Sequence, residues 1–337
     1  MAVLVTGGNG YIGSHTVVEL LNLGHEVVIF DNLSNSNRAV LERIETITAK
    51  KPHFILGDIR DSQALAQVFN DFSIDAVIHF AGLKAVGESV AMPLSYYDNN
   101  VCGSLCLLKA MNDANVKKII FSSSATVYGS PERLPIDEQC ALRTTNPYGA
   151  NKLQVEQMLS DLCQSDANWS VVALRYFNPV GAHKSGLIGE SPNGIPNNLL
   201  PYVTQTALKI RKQLSIFGGD YDTADGTGVR DYIHVVDLAL GHIKALDLVA
   251  AQTGFEPINL GTGIGYSVLD IVRSFEAVNQ IAVPYEIVAR RPGDIATCYA
   301  DPKKAKDILG WQAEQTLDDM MKDAWHWQSN NPKGYDD

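Results

Sequence analysis

Val3-Leu-Val-Thr-Gly-Gly-Asn-Gly-Tyr-Ile-Gly13 is the stretch on which the fold turns. A short apolar run enters Gly7-x-x-Gly10-x-x-Gly13, and residues 14–24 then carry apolar side chains at helical spacing. The pattern predicts strand, tight turn and helix. Glycines at those positions permit positive φ, let the backbone approach a pyrophosphate, and bring helix close to strand. The helix start then offers unpaired N–H groups and partial positive charge to phosphates. His25 to Phe30 reads as a second strand ending on Asp31, 18 positions past Gly13. A carboxylate at that point accepts hydrogen bonds from an adenosine ribose. It also repels a 2′-phosphate, and no Arg or Lys stands in the turn to receive one. The expected cofactor is therefore NAD and not NADP.

The chain has 337 residues, 45% of them hydrophobic, enough for a large core and two lobes. No apolar run approaches the roughly 18 to 20 residues of a membrane span, and the N-terminus does not resemble a signal peptide. Five cysteines, an odd number without metal spacing, suit a reducing cytoplasm. A net charge of −11 argues against a nucleic-acid partner and requires locally placed arginines for an anionic substrate.

Strand-then-helix units continue along the chain. Strands are expected at residues 52–57, 75–80, 117–123 and 169–175, with helices at about 61–72, 94–112 and 147–163. Alternation of this kind predicts a Rossmann-type doubly wound parallel α/β sheet, with ligands at the carboxyl ends of its strands. Asp31, Asp58, Phe80, Ser124 and Phe177 fall at or just past those ends. After Arg175 the sequence turns rich in Gly, Pro, Asn and Asp, with one clear helix near Leu199 to Arg211. Residues 1–176 are read as the dinucleotide-binding domain, with a return segment at 231–262 whose strand is Pro257–Leu260. Residues 177–337 are read mainly as a smaller, interleaved substrate-binding lobe. Ser267 caps an expected helix to Asn279.

Pro147-Tyr148-Gly-Ala-Asn-Lys152 carries the chemistry. Tyr and Lys four apart share one helix face. A phenol of pKa about 10 is a poor base at neutral pH, and a nearby ammonium favours its phenolate. Ser122-Ser-Ser124 ends a strand and offers a hydroxyl to the same phenol or to a substrate. Beside a dinucleotide, Ser, Tyr and Lys form a device for moving a hydride and a proton at a carbinol carbon.

These two motifs resemble the extended short-chain dehydrogenase/reductases. Four longer blocks, at residues 80–89, 121–129, 175–183 and 228–235, resemble the UDP-glucose 4-epimerase family within them, and the resemblance runs from Val3 to Tyr335. It implies bound NAD, a UDP-hexose substrate, and redox-neutral inversion at the sugar C4 through a transient 4-keto sugar. Tyr148 would take the 4-hydroxyl proton, Lys152 would hold the nicotinamide ribose and support the phenolate, and Ser124 would position the 4-oxygen. For the cofactor it implies Gly7, Gly10, Tyr11, Ile12 and Gly13 at the phosphates, Asp31 and Asn32 at the ribose, and Asp58 and Ile59 at the adenine. Phe80, Ala81, Lys84, Asn99 and Phe177 would line the rest of that cleft. For the substrate it implies Lys84, Asn178, Asn198 and Leu199 around the sugar and diphosphate, and Ser215-Ile216-Phe217 at the uracil. Arg230 and Arg291 would meet the diphosphate, and Asp294 the uridine ribose. Two guanidinium forks suit a pyrophosphate.

Some family members place a tyrosine where Cys298 stands. The smaller side chain implies room for an N-acetyl group, and so for the UDP-N-acetylglucosamine and UDP-N-acetylgalactosamine pair. The family's 4,6-dehydratases carry Asp-Glu just after the position of Ser124; this chain has Ala125-Thr126. A simple nucleotide-sugar dehydrogenase and a catalytically silent NAD-binding protein would share the glycine turn and are the rival functions. The helices near 94–112 and 147–163 are apolar for exterior helices, and the resemblance implies a homodimer through a four-helix bundle.

Overall fold

The computed structural model describes residues 1–194, 196–291 and 294–336; Gly293, within the 293–299 stretch around Cys298, lies outside them. Seven strands build one all-parallel sheet: β1 (Ala2–Thr6), β2 (Glu26–Asp31), β3 (His53–Leu56), β4 (Ala76–His79), β5 (Lys118–Ser124), β6 (Ser170–Tyr176) and, later in the chain, β10 (Gly254–Leu260). Their spatial order is β10-β6-β5-β4-β1-β2-β3. The order reverses at β1, which opens a crevice at the strand ends.

Both sheet faces are covered, which is why the strand centres, such as Val3–Val5, Val27–Phe30 and Val171–Leu174, are continuous apolar runs. Side chains alternate between two cores: Val3 and Val5 pack with Val17, Leu20 and Ile44, whereas Leu4 packs with Leu65, Leu107 and Leu159. The first face is covered by α1 (Tyr11–Asn22), α2 (Ala39–Thr48) and, later, α9 (Val235–Ala251). The second is covered by α3 (Ser62–Asp71), α6 (Gly103–Asp113) and α7 (Pro147–Ser165). The expected 94–112 helix is a composite. Short α4 (Val86–Ala91) and α5 (Pro93–Tyr96) lead into a π-turn at Tyr97–Cys102 and then α6.

The remaining strands and helices form the smaller lobe: β7 (Asn178–Val180), α8 (Leu199–Ala207), β8 (Leu214–Phe217), β9 (Val229–His234), β11 (Gly265–Ser267), α10 (Val268–Asn279), β12 (Tyr285–Val288), β13 (Thr297–Cys298) and α11 (Leu317–Asn330). Helix α8 stops at Ala207, short of the expected Arg211, because Lys209 turns to φ 62. Ser267 caps α10 in a capping box with Asp270. Strand β9 pairs with β7, β11 and β13, and β8 pairs with β12. A third core around Leu200, Ile216, Phe275 and Met320 holds this lobe together.

Candidate active site

The glycine turn is built tightly. Gly7 has φ +69, and a Cβ on it would lie 2.7 Å from the Ala81 nitrogen; one on Gly13 would lie 2.3 Å from the Gly7 oxygen. Gly10 brings no capping side chain to α1, so its first-turn N–H groups are left for a ligand. At the end of β2 the buried Asp31 carboxylate accepts from the backbone of Asn9 (3.0 Å) and Leu33 (2.9 Å) and from Ser36 Oγ (2.9 Å). Asn32 donates to Asp58 at 3.0 Å, and Arg60 hydrogen bonds hold the Asp58 carboxyl well below the usual range. Uncapped helix, close-packed glycines and acidic strand end fit a dinucleotide with a free ribose.

Two expected cofactor residues present backbone and not side chain. The Tyr11 hydroxyl is committed to the Gly181 carbonyl at 2.7 Å. Ile59 is 5% exposed and packs on Gly103 in the second core. Phe80 lies against His242 with ring centroids 4.6 Å apart, and Phe177 is buried beside Val127 and Ile136. Asn99 donates to Asn100 Oδ1 at 2.9 Å. Asn100 also clasps both backbone groups of Leu83, fixing the loop that carries Ala81 and Lys84.

The serine, tyrosine and lysine meet at the carboxyl end of β5. Asn146 caps α7 by accepting from Gly149 N at 2.9 Å, and Pro147 occupies the first turn. Gly149 allows the close approach, since a Cβ there would lie 2.9 Å from the Thr126 carbonyl oxygen. Tyr148 thereby comes beside Ser124, which pulls on its phenol, while Ser124 Oγ accepts from Thr126 Oγ1 at 3.0 Å. Lys152 Nζ lies 5.8 Å from the Tyr148 ring centre and donates to the Ser122 carbonyl at 2.6 Å.

One expectation is corrected. Without cofactor the Tyr148 phenol does not fall below its ordinary value, because burial outweighs its neighbours. Burial pushes Tyr148 up to about 12, with Ser124 pulling the other way, and pulls Lys152 down to about 8. Both groups sit in a low-dielectric interior that penalises either charge alone. The amine's hydrogen bond goes to a carbonyl and not to the phenol.

Across the crevice the smaller lobe gathers the expected substrate residues. Arg230 Nη2 lies 3.7 Å from Asp294 Oδ1, and Arg291 stacks on Phe217 at 3.8 Å. Ser215, Ile216 and Phe217 form β8, with Ile216 buried and its neighbours partly open. Asn178 is exposed at the start of β7. Cys298 pairs with Arg230 across β13 and β9 and packs near Phe177. Tyr299 approaches Gly265, where a Cβ would meet its ring at 3.3 Å.

Lys84, with its side chain 41% exposed, pairs its Nζ with Glu190 Oε1 at 3.0 Å. The same oxygen accepts from Asn198 Nδ2 at 2.6 Å, one position before Leu199 opens α8. Glu190 therefore ties a residue of the glycine-turn domain to one of the smaller lobe, and sequence reasoning missed it. Nothing in its local sequence marks it, because its partner lies 106 positions away. Among the described residues no His, Cys, Asp and Glu group is placed to hold a metal, and no helix is long and apolar enough to cross a membrane.

Doubly wound sheet, glycine turn and the Ser124–Tyr148–Lys152 set define a dinucleotide-dependent member of the extended short-chain dehydrogenase/reductases. A family model described as GDP-mannose 4,6 dehydratase matches residues 4–324. The UDP-glucose 4-epimerase of Pasteurella multocida is 61% identical over 338 residues, covering 100% of both chains. That of Bacillus subtilis is 61% identical over 335 residues, covering 99% of each. The crystal structure of the Bifidobacterium longum UDP-glucose 4-epimerase with NAD+ and UDP superposes with a TM-score of 0.97 at 56% identity, covering 99% of this chain and 100% of the other. The chain belongs to the UDP-glucose 4-epimerase family.

Proposed function

We propose that this protein interconverts UDP-galactose and UDP-glucose, using tightly held NAD and no net oxidation. The observation that carries the reading is buried Tyr148 beside Ser124 and one helical turn from Lys152, facing a lobe that presents Arg230 and Arg291. Bound NAD would supply the hydride acceptor for sugar C4 and the hydride donor to the opposite face of the 4-keto sugar. Tyr148 accepts the 4-hydroxyl proton and later returns one. A lone phenolate is costly in that buried site, so the Lys152 ammonium beside it and the Ser124 hydroxyl offset its charge. Ser124 also holds the sugar 4-oxygen. The turn of Gly7, Gly10, Tyr11, Ile12 and Gly13 holds the cofactor phosphates through backbone N–H groups. Asp31, Asn32, Asp58 and the Ile59 backbone take the adenosine end, and Phe80, Ala81, Lys84, Asn99 and Phe177 border the remainder.

Residues 177–230 and 263–337 make the UDP-sugar lobe. Arg230 and Arg291 neutralise the diphosphate, Phe217 and its strand take the uracil, and Asp294 the ribose. Lys84, Asn178, Asn198 and Leu199 surround the sugar. The Cys298 space admits a 2-N-acetyl group, so the N-acetylhexosamine pair is turned over as well. Ala125 and Thr126 supply no acid and base for elimination, which favours epimerisation over dehydration. Copies pair through the α5–α6 segment and α7: Leu94, on α5, is 82% exposed and Leu105, on α6, 40%. We also place the protein in the cytoplasm on its five free cysteines. The direct test is Tyr148→Phe. It should keep bound NAD and lose about 100-fold or more in kcat; full turnover with NAD bound would refute the assignment.

A further inference from the structure

Tyr148, Lys152 and Glu156 follow one another at four-residue spacing, on one stripe of α7. The third has no part in the chemistry described above, yet it is 3% exposed. Beneath it three strands present a single row, for Ser123 pairs with Arg175 and Arg175 with Asn259 across β5, β6 and β10. Arg175, also 3% exposed, turns its fork onto Glu156, with Nε donating to Oε1 at 2.9 Å and Nη2 to Oε2. Ser123 Oγ donates to the same Oε1. The other arm of Arg175 donates to Tyr128 at 3.1 Å, and Tyr128 in turn to Asn259 at 2.7 Å. A buried ion pair is poor value as a source of stability alone, because two charges must be desolvated. This one sits between the strand that ends in Ser124 and the helix that carries Tyr148 and Lys152.

We propose that Glu156 and Arg175 are a positioning pair for the epimerase reaction. The clasp sets α7 against β5 so that Tyr148 meets Ser124, and the carboxylate, one turn from Lys152, keeps that amine charged in a buried site. The proposal rests on the reading of Tyr148 and Lys152 as the groups that handle the proton. The groups facing Lys152 from the packed elements are Tyr148 on α7, His79 on β4 and, through Ser122, Tyr176 on β6. Burial pushes both phenols up and His79 down to about 3, so all three are neutral between pH 5 and 9 in the protein alone. Glu156 is the one carboxylate among them, and it opposes the burial that pulls Lys152 down to about 8. The clasp thus couples the geometry of the site to the alkaline limit of its activity.

The test is the pH profile of kcat, measured on NAD-loaded protein for the wild type, Glu156→Gln and Glu156→Gln/Arg175→Met. The single substitution leaves the Arg175 charge buried without its partner and risks misfolding; the double removes both charges at similar volume. The alkaline limb should move down by about half to one pH unit in Glu156→Gln and by less, in the same direction, in the double variant. Folded variants with full NAD content and an unmoved limb would overturn the proposal, even with a lowered melting temperature, since a merely structural clasp changes stability and not the limb. Lys152→Met run alongside separates the two readings. Full turnover there refutes the role of Lys152 itself, whereas its loss, with the Glu156→Gln limb unmoved, refutes only the clasp.

Discussion

Gly13→Ala puts the dinucleotide reading under the sharpest steric pressure. A Cβ at Gly13 would lie 2.3 Å from the Gly7 oxygen, 2.8 Å from the Gly8 Cα and 3.1 Å from the Gly7 carbonyl carbon. All three are backbone atoms, so no side-chain rotation relieves the overlap. Ordinary contact begins near 3.4 Å, and the turn must open by about 1 Å. The moving segment holds the N–H groups assigned to the pyrophosphate. A misplacement of that size weakens NAD binding about 10- to 100-fold, or about 1.4 to 2.8 kcal/mol. Overpacking costs a further 1 to 3 kcal/mol or so of stability. Gly24→Ala is the matched control. Its φ of +85 brings roughly 1 kcal/mol of strain, but nothing lies within 4 Å of the added carbon. Calorimetric titration of NAD into stripped protein, with urea unfolding in parallel, reads both terms. A Gly13→Ala protein that binds NAD like the wild type, or a Gly24→Ala protein that loses NAD equally, would refute the reasoning.

Burial holds the His15, His79 and His242 imidazoles down at about 3, 3 and 4. Their stability contribution is complete above the unfolded value near 6.5 and lost as pH falls toward those values, because only the unfolded chain takes up the protons. Unfolding free energy should therefore drop by up to about 4 kcal/mol per pH unit between pH 6 and 4, and His79→Gln should flatten that slope by about a third; urea midpoints that do not move would contradict it. Cys298→Tyr should remove conversion of the N-acetyl sugars while sparing the UDP-hexoses, read by chromatography of the two product pairs; equal retention of both refutes the open pocket. Leu105→Glu should turn a sedimenting dimer into a monomer, and a wild type that sediments as a monomer would end the helix-bundle reading.

The parts of the molecule legible in the sequence are those whose physics is local. The Gly7–Gly13 turn needs positive φ and close approach, and only glycine supplies both. Tyr148 and Lys152 fall one helical turn apart, so a spacing of four is enough to pair them. Strand β10 can be placed in the main sheet because Pro257-Ile-Asn-Leu260 reads as a strand that ends in a glycine turn. Helix α9, within the return segment, escapes a reading by periodicity. It is buried from Val235 to Val249 on several sides, so its apolar residues show no single face. The break of the 94–112 helix into α5, a π-turn and α6 leaves no mark in hydrophobic spacing. Contacts made by folding are equally invisible: Glu190 with Lys84, Asn100 with Leu83, and Glu156 with Arg175 show no shared local pattern. The expected fall of the Tyr148 pKa considers the neighbouring charge and omits desolvation, which a sequence does not display.

The most direct measurement gives the purified protein UDP-galactose with no added oxidant or reductant and follows the anomeric proton signals by NMR. Appearance of UDP-glucose until a fixed ratio is reached, with the same end point from UDP-glucose, is the predicted result. NAD bound but no interconversion from either side would contradict the account at its centre.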